Sequence, residues 1–240
     1  MTSTSIILPR AGNRVAGVTL WMMMVLTFVT GVVDAVGFLG LDRVFVGNMT
    51  GNIVILGMAV AGADDLPVLG PAIALGTFTL GAFIGGMLLR RRRKVWGGAV
   101  STLLIAGAVV LMLLGVAYVV PGWEDAPALE LIASSCTAAA MGAQAAVARS
   151  LAVADVTTVV VTSTLTSLAS ESLVNGGVRG LWNRRFAAIA VIFSGALVGA
   201  LLLRFFGLAV PLLLAALLTV VVVALGHRLL YAPSKTAVAD

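Results

Sequence analysis

The stretch FVGNMTGNIVILG, residues 45–57, decides between several folds for this chain. It places Asn48, Thr50 and Asn52 among glycines, in a sequence that is 60% hydrophobic and only 10% charged, with a mean hydropathy of +1.13. An ordinary soluble domain is about half apolar and about a quarter charged. The composition therefore predicts an integral membrane protein, and its fold depends on whether this polar stretch crosses the bilayer.

Six other runs are apolar and close to the ~20 residues that a helix needs to cross a bilayer. They cover residues 17–40, 67–89, 95–120, 127–148, 186–203 and 208–230. Helices are the expected form, because backbone polar groups in lipid must be satisfied within the segment. Residues 44–62 and 156–174 are ambiguous, since both carry many polar side chains.

The distribution of Lys and Arg favours six spans over eight. With six spans and a cytoplasmic N-terminus, 13 of these residues lie inside and 2 outside. Seven spans give 12 against 3 and eight give 8 against 7, and the last split contradicts the positive-inside rule. The strongest cytoplasmic anchor is a run of five bases: Arg90, Arg91, Arg92, Arg93 and Lys94.

An internal repeat also favours six spans. GAFIGGMLLR, residues 81–90, and GALVGALLLR, residues 195–204, match at six positions and lie 114 residues apart. The chain then divides into repeats of about residues 17–120 and 127–230, each with one polar segment after its first span. Because each repeat would cross three times, the two must be inverted relative to each other.

The predicted fold is therefore an all-α polytopic membrane protein, with six transmembrane helices in two inverted three-helix repeats. The two polar segments would be short re-entrant or broken helices, and seven or eight full spans are the alternative. A single membrane domain would cover residues 1–240, with short cytoplasmic tails. Within the repeat, small-x-x-x-small patterns indicate close helix packing. They are formed by Gly81, Gly85, Gly195 and Gly199.

The polar segments would meet near the middle of the membrane. Non-helical backbone is tolerated there only if it is buried in protein or lines a water-filled cavity, and paired broken helices recur in transporter sites. The predicted solute pathway comprises Asp34, Asn48, Thr50, Gly51, Asn52, Gln144, Thr158, Thr162 and Thr164. The alternative is that these side chains hold helices together, as Asn, Thr and Ser also do in membranes.

Asp34 is the sharpest single signal. It lies inside the first apolar run with no Lys or Arg at helical spacing, and an ionisable group at membrane depth is costly enough to indicate function. Coupling to protons through Asp34 is one expectation. A neutral pore for a small uncharged solute is the other, because the pathway has so few charges. A carboxylate that only caps backbone near a helix end is the structural alternative. Gln144 occupies a loosely corresponding place in the fourth span.

The sequence offers little support for an enzyme. It has one histidine, His227, which lies beside Arg228 at the end of the last span, and one cysteine, Cys136. It contains no His-Glu zinc motif and no phosphate-binding loop. We therefore expect no catalytic residues, no metal and no cofactor. Because the bases cluster at the ends of apolar runs, we also expect no binding of nucleic acid.

The run TGVVDAVGFLGLDRVFVGNMTGNIVILGMAVAG, residues 30–62, resembles the signature of the YoaK-like family of bacterial membrane proteins, a family of unknown function. In the second half, Gly142 and Gln144 with Thr157, Thr158 and Thr162 resemble the family's other motif. Ser163 stands where the pattern has Gly, so the two half-sites differ. The resemblance implies a polytopic inner-membrane protein and names no substrate.

Together, these features predict a transporter or channel for a small solute, in a bacterial cytoplasmic membrane, with both termini in the cytoplasm. Its partners would be the lipid bilayer and an unidentified solute, and a homo-oligomer is left open. The alternative is a membrane structural or regulatory protein whose polar segments serve helix packing or partner binding.

Overall fold

The structure is a computed structural model that describes residues 10–63, 65–90, 96–120, 127–151, 165–166 and 184–231. Seven α-helices lie within these ranges, and no strand does. In chain order they are α1 (Arg10–Gly40), α2 (Met49–Val60), α3 (Leu69–Leu89), α4 (Gly98–Ala117), α5 (Pro127–Leu151), α6 (Arg184–Phe206) and α7 (Ala209–Gly226), the last continuing as a π-helical turn over His227–Tyr231. The all-helical prediction is confirmed for the described part of the chain.

Six of these helices are long and apolar enough to cross a bilayer. Their candidate spans have 20–26 residues and mean hydropathies of 1.4–2.7, so the prediction of six long apolar spans is confirmed. The exception is α2, whose 12 residues at about 1.5 Å each are far shorter than a ~30 Å hydrocarbon core. Of the second polar segment, only Leu165 and Thr166 are among the described residues.

The two inner helices of the bundle are α1 and α5. In their most apolar windows 72% and 56% of the residues are buried, against 17–44% for the other four long helices. The main packing partners are α1 with α6, α5 with α3, and α4 with α7. The outer helices expose large apolar side chains such as Phe83 and Phe193, as expected for a surface that faces lipid.

Glycines set the closest approaches between these helices. A Cβ added at Gly81 of α3 would contact the carbonyl oxygen of Ala139 on α5. One added at Gly195 of α6 would contact the carbonyl oxygen of Phe28 on α1. The backbones of each helix pair therefore touch at a point where no larger side chain fits.

The α1–α6 and α3–α5 interfaces use matching positions of the chain. Gly31 on α1 approaches the backbone of Ile192 on α6, and Gly142 on α5 approaches the backbone of Phe78 on α3. Gly142 follows Gly31 by 111 positions, and Ile192 follows Phe78 by 114, the spacing of the sequence repeat. The same helix contact is thus made twice.

Candidate functional site

The segment between α1 and α2 runs back along α1 towards the interior. The N–H of Val44 donates to the carbonyl of Gly37 at 3.3 Å, and the N–H of Gly47 donates to the carboxylate of Asp34 at 2.7 Å. Asp34 lies six residues before Gly40, the last residue of α1, which is about 9 Å along a helix. The non-helical chain therefore reaches well inside the end of the first span before α2 begins.

The buried carboxylate of Asp34 holds this segment in place. Its Oδ1 accepts hydrogen bonds from the backbone N–H groups of Gly47, at 2.7 Å, and Asn48, at 3.3 Å. The side chain is only 9% exposed. Hydrogen bonds to a charged acceptor are stronger than neutral ones, and the adjacent start of α2 adds a partial positive charge. Asp34 thus satisfies two donors that lipid could not.

Asn52 attaches the same segment to α2. Its Oδ1 accepts from the N–H of Phe45 at 2.9 Å, and its Nδ2 donates to the carbonyl of Phe45 at 2.6 Å. The side chain is 1% exposed. One amide therefore satisfies both backbone groups of a residue that belongs to no helix or sheet, as buried backbone requires. Asn52 therefore holds the loop against α2.

The other polar residues of the motif shape the start of α2. Asn48 is its N-cap, and its Oδ1 accepts from the N–H of Gly51 at 3.3 Å. A Cβ at Gly51 would lie 2.6 Å from the ring of Phe45, so only glycine lets that ring cover the first turn of α2. Asn48 and Thr50 are exposed, and they are the polar members of the motif that can meet a molecule from outside the bundle.

Gln144 connects the two inner helices. Its Nε2 donates to Thr30 Oγ1 at 3.1 Å and to the carbonyl of Leu26 at 3.3 Å, both on α1. The 111-position offset places Ala145, rather than Gln144, opposite Asp34 in the repeat. Gln144 therefore differs in role from Asp34, because it joins α5 to α1 while Asp34 holds the loop.

Sequence reasoning missed four buried hydroxyls on the inner helices. Six of the eight buried polar or charged side chains in the described residues lie on α1 and α5: Thr27, Thr30, Asp34, Ser134, Thr137 and Gln144. On each helix they are spaced by three, four or seven residues, which places them on one face. This spacing is visible in the sequence, but it does not show which faces meet.

The remaining predicted residues fall into three groups. Thr158, Thr162 and Thr164 lie outside the described residues, as do the anchor residues Arg91, Arg92, Arg93 and Lys94. Arg90 is exposed at the C-cap of α3. The glycines of the packing patterns that follow Gly81 and Gly195 are buried against neighbouring helices: Gly85 faces α5 and Gly199 faces α1.

The site contains few ionisable groups. In the described ranges, no three His, Cys, Asp or Glu side chains lie close enough together to hold a metal ion. A narrow space beside Gln144, between α4, α5 and α7, is lined by Thr219 and otherwise by apolar residues and glycine. Hydroxyl and amide groups therefore supply most of the buried polarity.

Six long apolar helices, with buried polar groups concentrated on the two inner ones, define a multi-pass α-helical membrane protein. The chain belongs to the family described as "Protein of unknown function (DUF1275)", which matches residues 22–225. The resemblance to the YoaK-like family is thereby confirmed.

One curated relative is similar to the chain over a large part of its length. It is the "UPF0700 transmembrane protein YoaK" of Bacillus subtilis (strain 168), which is 30% identical over 151 residues. These residues make up 62% of this chain and 65% of that protein, slightly less than two thirds of the relative. No solved structure matches the chain.

Proposed function

We propose that the protein is a transporter or channel, rather than an enzyme, that carries a small solute across a bacterial cytoplasmic membrane. The solute passes between two inverted repeats, and both termini lie in the cytoplasm. The observation that carries this proposal is the cluster of buried polar side chains on α1 and α5, the most buried long helices. Polar groups at membrane depth are costly, and they typically mark a solute or ion path.

The repeated helix contacts support the inverted arrangement. The α1–α6 and α3–α5 interfaces are built at matching positions, and the described residues of each half contain three long helices. Because each half would cross the membrane three times, the second half has the opposite membrane orientation to the first. Two such halves form a path with similar surfaces on both sides of the membrane, which alternating access requires.

Contacts at the ends of the first polar segment support a re-entrant loop. Arg43 Nη1 donates to the carbonyl of Asp65 at 2.9 Å, so the residues before and after α2 meet. A Cβ at Gly70, in the first turn of α3, would lie 3.0 Å from the carboxylate of Asp42. In the proposed arrangement the segment enters and leaves at the same end of the bundle. The hydrogen bond of Gly47 to Asp34, inside the first span, supports it.

Cysteine labelling tests this topology. With Cys136→Ser as background, we expect Arg43→Cys and Asp65→Cys both to react in intact cells with a thiol reagent that does not cross membranes. The control is a cysteine at Arg90, which we expect to react only after the cells are opened. Labelling of positions 43 and 65 from opposite sides would show that the segment is an ordinary span and would refute the re-entrant arrangement.

Flux through purified protein tests the function. We expect proteoliposomes to show faster uptake than protein-free liposomes for at least one of glycerol, urea and protons, followed by light scattering or a trapped pH dye. Gln144→Leu removes the hydrogen bonds to α1. It should lower that flux about tenfold or more, because the free energy of one lost hydrogen bond corresponds to about a tenfold change. Thr79→Val, an exposed hydroxyl on α3, is the matched control and should leave flux unchanged.

A structural or regulatory membrane protein is the second candidate. It is favoured by the hydrogen bonds of Asp34 and Asn52, which are made to the backbone of the loop. If wild-type and protein-free liposomes behave alike for every probe, the transport proposal fails and this second role accounts for the polar segments.

A further inference from the structure

Thr137 differs from the other buried threonines of the described spans. Its Oγ1 is buried and has no hydrogen-bond partner among the described residues, and the side chain is 1% exposed. The other three each donate to the carbonyl four residues earlier in their own helix: Thr27, Thr30 and Thr219. That local bond is the usual way to satisfy a hydroxyl in a membrane helix. The Thr137 hydroxyl makes no such bond.

This hydroxyl lies near the middle of the membrane. Thr137 is nine residues into the candidate span Ala128–Leu151, which places it about 13–14 Å into a ~30 Å core. The other buried oxygens without a partner in the described ranges belong to Tyr118, after the last residue of α4, and Ser150, in the last turn of α5. Among the described residues, only Thr137 presents an unsatisfied hydroxyl deep in the bundle.

The face of α5 that carries Thr137 is the one that meets α1. Gln144 lies seven residues further on, so both side chains project from the same face of the helix. Gln144 bonds to Thr30 and Leu26 of α1. Those two bonds use its Nε2, so among the described residues the carbonyl Oε1 keeps its capacity to accept a hydrogen bond.

We propose that the hydroxyl of Thr137 and the amide of Gln144, about 10 Å apart along one face of α5, are successive hydrogen-bonding positions for a small neutral solute with hydrogen-bond donors and acceptors. Thr30 holds the Gln144 amide in place. The inference rests on the proposed transport function and specifies its substrate class. The hydroxyl of Thr137 and the amide of Gln144 offer both donors and acceptors. None of the three residues is charged, and the nearby carboxylate of Asp34 accepts bonds from the loop, so an ionic solute would lack a counter-charge.

The test uses the full-length protein in proteoliposomes with urea and glycerol as probes. Thr137→Val keeps the shape of the side chain and removes the hydroxyl. We expect it to lower urea or glycerol permeability by roughly tenfold, as the loss of one hydrogen bond does. Because it also removes an unsatisfied buried hydroxyl, it should raise Tm by about 2–4 °C. Thr137→Ser should retain wild-type permeability.

The matched control is Thr77→Val on α3, whose hydroxyl bonds to its own helix at Ile73 and Ala74. It should lower Tm slightly and leave permeability unchanged.

If the wild-type protein passes urea or glycerol and Thr137→Val does not change that flux, this inference is overturned and the transport function stands. A fall in Tm or a loss of folded protein in Thr137→Val would also overturn it, because the hydroxyl would then have a structural partner. If wild-type liposomes pass protons but neither neutral probe, the neutral-solute inference fails alone; if they pass nothing, both proposals fail.

Discussion

Gly142→Leu is expected to prevent assembly of the bundle. A Cβ at this position would contact the carbonyl oxygen of Phe78 and lie 2.9 Å from the backbone nitrogen of Ala82, both on α3. Backbone atoms cannot move aside as a flexible side chain can, so α3 and α5 would have to separate. Overpacking a core typically costs about 1–3 kcal/mol, and a clash between two backbones should exceed that range. The measurement is the yield of monodisperse protein in detergent.

Gly86→Leu is the matched control for this substitution. Gly86 lies on α3, one of the two helices that meet at Gly142, and an added Cβ there would have nothing within 4 Å. The same change in composition should leave yield and Tm close to those of the wild type. Equal yields for the two variants would show that the α3–α5 contact does not control assembly.

Asp34→Leu is expected to release the loop that precedes α2. The substitution removes the acceptor for the N–H groups of Gly47 and Asn48. A buried donor left without a partner costs about 1–3 kcal/mol. Asp34→Leu should therefore lower the free energy of unfolding by roughly 2–6 kcal/mol if the two losses add. It should also speed hydrogen exchange at the amides of Gly47 and Asn48.

Asp34→Asn separates the hydrogen bonds from the charge. The amide oxygen can replace Oδ1 as an acceptor, so the loss of stability should be less than half that of Asp34→Leu. Asp42→Asn removes a carboxylate from the exposed part of the same loop and should have little effect. If Asp34→Leu leaves the exchange of these two amides unchanged, the carboxylate does not hold the loop.

Much of the architecture follows from composition alone. The six apolar runs correspond to six long helices, because a chain in lipid must satisfy its backbone locally and long runs do this as helices. The repeat between residues 81–90 and 195–204 also points to positions that lie at helix interfaces. These features depend on local sequence, which explains why they can be predicted.

The candidate site was predicted less well. The polar motif after α1 left two uses open, a solute path or the support of backbone, and in the structure Asp34 and Asn52 bond to the backbone of the loop. Thr30 and Thr137 were missed, because a threonine in an apolar helix is ordinary until its neighbours are known. The equivalence of Gly31 and Gly142 in the two repeats, 111 positions apart, could be recognised only from the residues that each one contacts.

The sequence by itself determined that this is a multi-pass helical membrane protein and which segments are long enough to cross. It did so because hydrophobic length and backbone satisfaction are properties of each segment alone. Only the tertiary structure decided which helices are central, that Asp34 holds the loop and that Gln144 joins α5 to α1. Those contacts join residues 13 to 118 positions apart in the sequence. Lipid is as apolar as the protein interior, so the hydrophobic pattern of a helix does not show which face is buried in the bundle.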